Sequence, residues 1–400
     1  MKKPIKLLWL SFFPPAKNAR YAGQQTSYYY VRELSRNPVF EVTLVTFEEN
    51  HPGGDLGYAS EHFQYEFVMR DGKLRQLLHR ILQTLLRRLN PWLGNGGLVA
   101  LRSAHRLFAT LRHKAKSGFR PDIVFCDFTQ ISLLVKDLKT IFPDSAWACH
   151  EHDVSFQSML RQSSLRKTAW GRFVAKRQAD TLREAELVAM KEFAHVLVPS
   201  RKDALLLEKE GIGQDVLGIL TPKFQQRGSP LKRAPGRDVI FFGAMNRMEN
   251  VGACVWFASE VLPRLRALQL GIRFVIVGGN PPESLLKLAN DNDLVVTGFV
   301  ENPLSYFEQA LCLAVPLLSG GGVKVKVLEA LVSGVPVLAN AIGVEGIPVE
   351  HERHYLHCEL PEDYVKAIQF LLKNPDAASE MANRAVEAVM AAFDYELALA

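Results

Sequence analysis

The chain has 400 residues, of which 48% are hydrophobic and 22% charged, which excludes a disordered chain and points to two domains rather than one core. Five scattered cysteines without a CxxC pair argue against a disulfide framework or a structural zinc site and for a reducing, cytoplasmic setting. The net charge of +6 is unevenly placed: residues 70 to 120 carry twelve Lys/Arg against one acid, Asp71.

The N-terminus "MKKPIKLLWLSFFPPA" imitates a signal peptide, but its apolar run is short and ends in a Pro-Pro pair. "IKLLWLSFF" is therefore expected to be a first buried strand. "FEVTLVTF", "PDIVFCDF", "SAWACHEH" and "HVLVPS" continue the series, with helical patterns such as "TSYYYVRELSRN" between them. This alternation predicts parallel sheet with crossover helices. No run of about 18 apolar residues occurs, so no spanning helix is expected. Residues 223–237, rich in Pro, Gly and basic residues, read as a linker after a first domain over 1–222. A second series follows over 238–375: "DVIFFGAM", "IRFVIVGGN", "DLVVTGFV", "LCLAVPLL" and "GVPVLAN". A helical segment, 376–400, closes the chain. Two α/β domains on one linker would leave a cleft at the carboxyl ends of their strands.

The densest motif is "SGGGVKVKVLEALVSGVPVLAN", residues 319–340. Three glycines let a ligand approach the backbone. The helix start that follows offers unpaired N–H groups to a phosphate, and Lys324 and Lys326 add charge. Glu329, about a turn into the helix, can accept from hydroxyls. A diphosphate joined to a ribose would satisfy all three features. The competing reading is an ordinary tight turn with a solvated glutamate.

From "VIFFGAMNRMENVGACVWFASEVLPRL" through "FVIVGGNPPESL" and "VTGFVENPLSYFEQA" to "GGGVKVKVLEALVSGVPVLANAIGVEGI", the sequence resembles retaining glycosyltransferases of the GT-B fold, family 4. The resemblance implies two Rossmann-like domains and a nucleotide diphosphate sugar as donor, with no cofactor and no essential metal. It implies that Gly321, Gly322, Val323, Lys324 and Lys326 hold the diphosphate. Glu329 would contact the ribose, Gly298 and Phe299 would lie near the base, and Glu345 would lie near the sugar. Gly23, in "YAGQQ", would face the phosphate and the acceptor, if it is not simply part of a turn. Two departures stand out. Many members carry a second glutamate where this chain has Gly321. Many also carry an Arg and a Lys in the first loop of the second domain, where "GAMNRMEN" supplies only Arg247.

"CHEHDVSFQ", residues 149–157, crowds two histidines and two acids at a strand end. A metal site, a structural cluster and a catalytic site compete there. The family resemblance favours His152 near the donor sugar, with Asp153 orienting its ring. "DND" at 291–293 imitates a metal–diphosphate motif of another architecture and is expected to be a solvated loop. In "LRQLLHRILQTLLRRL", leucines from Leu74 to Leu86 form a stripe flanked by Arg75, Arg80, Arg87 and Arg88. That suits either the inner face of an anionic membrane or packing on the first sheet. Nucleic acid is not expected as a partner. The expected activity is sugar transfer to a carbohydrate or lipid-linked acceptor. The alternatives are another GT-B enzyme, such as a nucleotide-sugar epimerase, or a non-catalytic nucleotide-sugar-binding protein.

Overall fold

The structure is a computed structural model that describes residues 3–17, 22–47, 62–69, 96–224, 231–290 and 292–393. The chain divides into two compact units, Met1–Lys223 and Phe224–Ala400.

The first unit is built on seven strands: β1 (Ile5–Ser11), β2 (Phe40–Phe47), β3 (Phe63–Val68), β4 (Ile123–Asp127), β5 (Ala146–His150), β6 (His195–Val198) and β7 (Leu217–Ile219). All pairings are parallel, in the order β3-β2-β1-β4-β5-β6-β7. A parallel sheet is covered on both faces, so its central strands must be apolar on both. In β1, Leu8 and Leu10 join a core with Val45, Cys126 and Val196, while Leu7 and Trp9 join another with Tyr30, Val42 and Phe125. The two-residue alternation of a strand divides them.

The second unit repeats the scheme with β8 (Asp238–Phe242), β9 (Arg273–Val277), β10 (Leu294–Gly298), β11 (Ala310–Val315), β12 (Val337–Ala339) and β13 (Leu356–His357). Its order is β10-β9-β8-β11-β12-β13, again all parallel. Each sheet therefore reverses its direction of winding once, between β1 and β4 and between β8 and β11. Ligands of open α/β sheets bind beyond the strand ends at such a reversal. The helix Pro375–Ala392 does not stand apart: Met381, Ala385 and Val389 lie in the second core.

Between the units, Lys223 belongs to the first and Phe224 to the core of the second. Lys223 is buried, pairs with Glu33 and lies 4.7 Å over the Tyr30 ring. Further on, the Arg233 guanidinium donates to the carbonyls of Gly334 (2.8 Å) and Ala310.

The ten strands expected from apolar runs are all present. The sequence reading lacked β3, β7 and β13, which are edge or near-edge strands. β3 is half-exposed and β13 has only two residues, so neither carries a continuous apolar signature.

Candidate functional site

In the first unit the polar side chains converge where β1, β4 and β5 end. Asp127, the last residue of β4, is fully buried. Its Oδ2 accepts from Trp9 Nε1 (3.2 Å), Ser11 Oγ (3.1 Å) and Ser27 Oγ (2.6 Å). Its Oδ1 lies 2.9 Å from His152 Nε2 and 3.3 Å from His150 Nδ1. Burial alone would raise this carboxyl, but the two imidazoles outweigh it and hold Asp127 well below the usual carboxylate range. His150, buried and beside a second imidazole, is pushed down to about 4. With Asp127 ionised, Nε2 of His152 is the donor of that bond.

The His152 ring is clamped by packing as well. It lies against Phe128, with ring centroids 4.1 Å apart. Phe128 has φ +78°, a conformation that costs an L residue on the order of 1–3 kcal/mol. Its N–H donates to the His150 carbonyl (3.1 Å), and its own carbonyl caps the next turn through Ile131 N–H (2.9 Å). Gly23 completes the clamp. A Cβ there would sit 2.8 Å from Phe128 Cε1 and 3.2 Å from His152 Nδ1, so a side chain would press on both rings. Asp153, expected to orient the His152 ring, accepts instead from Ser155 Oγ at 3.2 Å. Glu151 turns away to accept from Thr129 Oγ1, and burial pushes it up to about 7.

In the second unit, β8 and β9 end in contact. A Cβ on Gly278 would stand 1.8 Å from the Gly243 carbonyl oxygen, so only glycine fits. The loop after β11 runs through Ser319, Gly320, Gly321 and Gly322 into the helix Val325–Val332, with Lys324 at its N-cap. Lys324 folds back: its Nζ donates to the carbonyls of Gly322 (2.6 Å) and Gly321 (3.2 Å) and lies 3.7 Å from Glu345. That ion pair joins the "GVEGI" segment to the glycine loop. Val323 and Glu329 are partly exposed, before and within this helix.

Lys326 takes another course. Its Nζ donates to Asn250 Oδ1 (2.5 Å) and stands 4.3 Å over the Phe241 ring. Asn250 is fixed in turn by its Nδ2 donating to the Ala244 carbonyl (2.8 Å). Lys326 thus reaches into the first loop of the unit, where the sequence has few cations. Loss of solvation, reinforced by Arg247 and Lys324, brings it down to about 7. Arg247 is the N-cap of the helix Met248–Trp256 and pairs with Glu249 at 2.5 Å. Gly298 (φ +72°) ends β10, and the Phe299 side chain after it is 80% exposed.

The structure therefore gathers two sets. Gly23 and His152 meet in the first unit, and Lys324, Lys326, Glu345 and the glycines in the second. Sequence reasoning passed over Asp127, Phe128 and Asn250. Asp127 carried a signal, since a charge closing an otherwise apolar strand needs partners. Among the described residues, Asp127, His150 and His152 form a group whose ligand atoms lie within 4.8 Å of one another, close enough to hold a metal ion. Oδ1 of Asp127 is the oxygen that faces both rings, while Oδ2 is held by three donors. In the "DND" stretch, Asp293 is bound by Arg266 and Asn290. Asp291 lies outside the described residues, as does the basic stripe from Leu74 to Leu86. No helix among the described residues is long and apolar enough to cross a membrane.

Comparison with known proteins adds three likenesses. An uncharacterized 44.6 kDa protein in the cps region of Klebsiella pneumoniae is 24% identical over 221 residues, 52% of this chain. The match spans 57% of that relative's length. HepE of Anabaena, solved in complex with UDP, has a TM-score of 0.64 at 12% identity over 98% of this chain and 97% of its own. Sucrose-phosphate synthase of Thermosynechococcus elongatus has a TM-score of 0.67 at 17% identity over 98% and 96%. With its two all-parallel sheets, each reversing once, the chain has the GT-B fold, and residues 236–374 of its second unit match the family described as glycosyl transferases group 1.

Proposed function

We propose that this chain transfers a glycosyl unit from a nucleoside diphosphate sugar to a hydroxyl of a carbohydrate or lipid-linked acceptor, with retention of configuration and no essential metal. One observation carries the reading. In the second unit a glycine loop, a helix N-terminus and the cations Lys324 and Lys326 converge beside the switch point of a parallel sheet. Such a site holds a diphosphate and stabilises the charge that gathers on it as the sugar leaves. Glu329 would accept from the ribose hydroxyls, and the exposed Phe299 ring offers a face to the base. In the first unit, His152 is held at Nε2 by Asp127, which leaves Nδ1 to meet a sugar hydroxyl.

A panel of nucleotide sugars tests the reading, by thermal shift first and then by release of nucleoside diphosphate in the presence of acceptors. HepE was solved with UDP, so uridine donors come first. Stabilisation by one donor, followed by an anomer of unchanged configuration in the product, is the expected result. Stabilisation by no nucleotide sugar overturns it. Gly321, standing where many members have a glutamate, favours a second reading as a binder without turnover. A donor bound tightly but neither hydrolysed nor transferred would select that one.

A further inference from the structure

The first unit carries a helical hairpin that takes no part in either set of candidate site residues. Its arms are the helices Ser155–Ser164 and Ala169–Met190, joined by four residues. The base of the hairpin is core: Phe156, Leu182, Ala189 and Met190 are buried. The tip is different. From Ala169 to Gln178 the second arm buries no side chain, although it includes Trp170, Phe173 and Val174. Trp170 is 64% exposed, Leu165 50% and Phe173 48%. The Trp170 and Phe173 rings lie 5.8 Å apart, so they form one patch rather than scattered apolar residues.

The charge around this patch has a single sign. Between Arg161 and Arg177 there are six Lys/Arg and no Asp or Glu. Arg166, Lys167 and Lys176 are exposed at the tip. The turn is firmly built: Thr168 caps the second arm through Gly171 N–H (3.0 Å), and Arg172 Nη1 donates to the carbonyls of Arg166 (3.1 Å) and Lys167 (3.3 Å). A turn fixed in this way spares the backbone an ordering cost on docking.

We propose that this hairpin tip is a docking surface for an anionic phospholipid bilayer. The cations suit the headgroups, Trp170 suits the interfacial layer, and Leu165 and Phe173 suit the acyl boundary. A nucleic acid would answer the charge but would give Leu165 no role. A soluble acidic protein would answer both only with a matching apolar groove.

The experiment is flotation of the full chain with vesicles of phosphatidylcholine alone or with 30% phosphatidylglycerol. Wild type is expected to float only with the anionic vesicles and to lose that binding as salt rises. At the contribution expected of a cation near such a surface, Arg166→Glu/Lys167→Glu/Lys176→Glu should weaken binding by about a hundredfold or more. Trp170→Ala/Leu165→Ala should weaken it at every salt concentration. Acyl chains brominated near the headgroup should quench tryptophan emission in wild type and fail to do so in Trp170→Phe, which decides the matter if the triple variant misfolds. The proposal is overturned if no variant differs from wild type, or if wild type does not float. It is equally overturned if binding is lost only in Arg80→Glu/Arg87→Glu/Arg88→Glu, or if the tip variants lose affinity for single-stranded DNA or an acidic protein while keeping vesicles.

Discussion

On the proposed function, with Lys326 at the donor diphosphate, donor binding becomes a titration. In the empty protein it stands near 7 rather than 10.5, through loss of solvation, then the Arg247 charge, with Lys324 adding to it and Cys254 and Glu249 opposing. At pH 8 most Lys326 side chains are then neutral. A diphosphate charge at roughly 4 Å, at an effective dielectric near 20, favours the ammonium by about 4 kcal/mol, or about three pKa units. The bound-state value is then about 10. The sign follows from linkage: the complex binds a proton that the free protein lacks, so affinity is full below pH 7 and falls as pH rises from 7 toward 10. The expected loss approaches tenfold per pH unit in that window. Calorimetry with an intact nucleotide sugar, which has no phosphate titrating near 7, measures it directly. At pH 8 the heat should vary with buffer ionisation enthalpy in the sense of net proton uptake on binding. Lys326→Met should bind more weakly at pH 6.5 and show no slope between 7 and 8.5. A flat wild-type profile, or an equal slope in Lys326→Met, refutes the assignment of Lys326 to the diphosphate.

Three further outcomes are expected. Glu329→Ala should weaken donor binding by about 1.5–3 kcal/mol, the loss of a charge-assisted hydrogen bond, and unchanged affinity by calorimetry would remove Glu329 from the ribose. His152→Ala should lower transfer far more than donor affinity, and Asp127→Asn should follow it and shift the pH profile of turnover, because an amide does not hold the ring as a carboxylate does; parallel losses of binding and turnover would mean a structural role. Turnover should survive EDTA, since fixed cations and N–H groups supply the positive charge. Loss on chelation with recovery on magnesium or manganese would turn attention to Asp127, His150 and His152 as ligands.

The fold was legible because every central strand is an apolar run of the length a doubly covered sheet needs. The glycine loop was legible because its glycines, lysines and Glu329 are neighbours in sequence. Partnerships across the chain were not. Asp127 draws Trp9 and Ser11 from 118 and 116 residues away, and Lys326 finds Asn250 76 residues back. The first-loop deficit noted in "GAMNRMEN" was real as a count of cations, yet it concealed an asparagine that brings Lys326 into that loop. For His152, adjacency suggested Asp153 as the orienting acid, whereas strand register places Asp127 opposite His150 and within reach of the His152 ring.

The Asp127 carboxylate also ties its cluster to the closure of the sheet. Its donors come from β1, from the helix Ala22–Arg36 and from the loop after β5, so no local segment can assemble it. The cluster requires the parallel pairing of β1 with β4, which spans more than a hundred residues, and such distant pairings are slow to form. A nascent chain that has emerged only as far as β2 already has Trp9, Ser11 and Ser27, and it offers the two hydroxyls only the nearby carbonyls of Phe13 and Gly23 in place of the carboxylate that gathers all three.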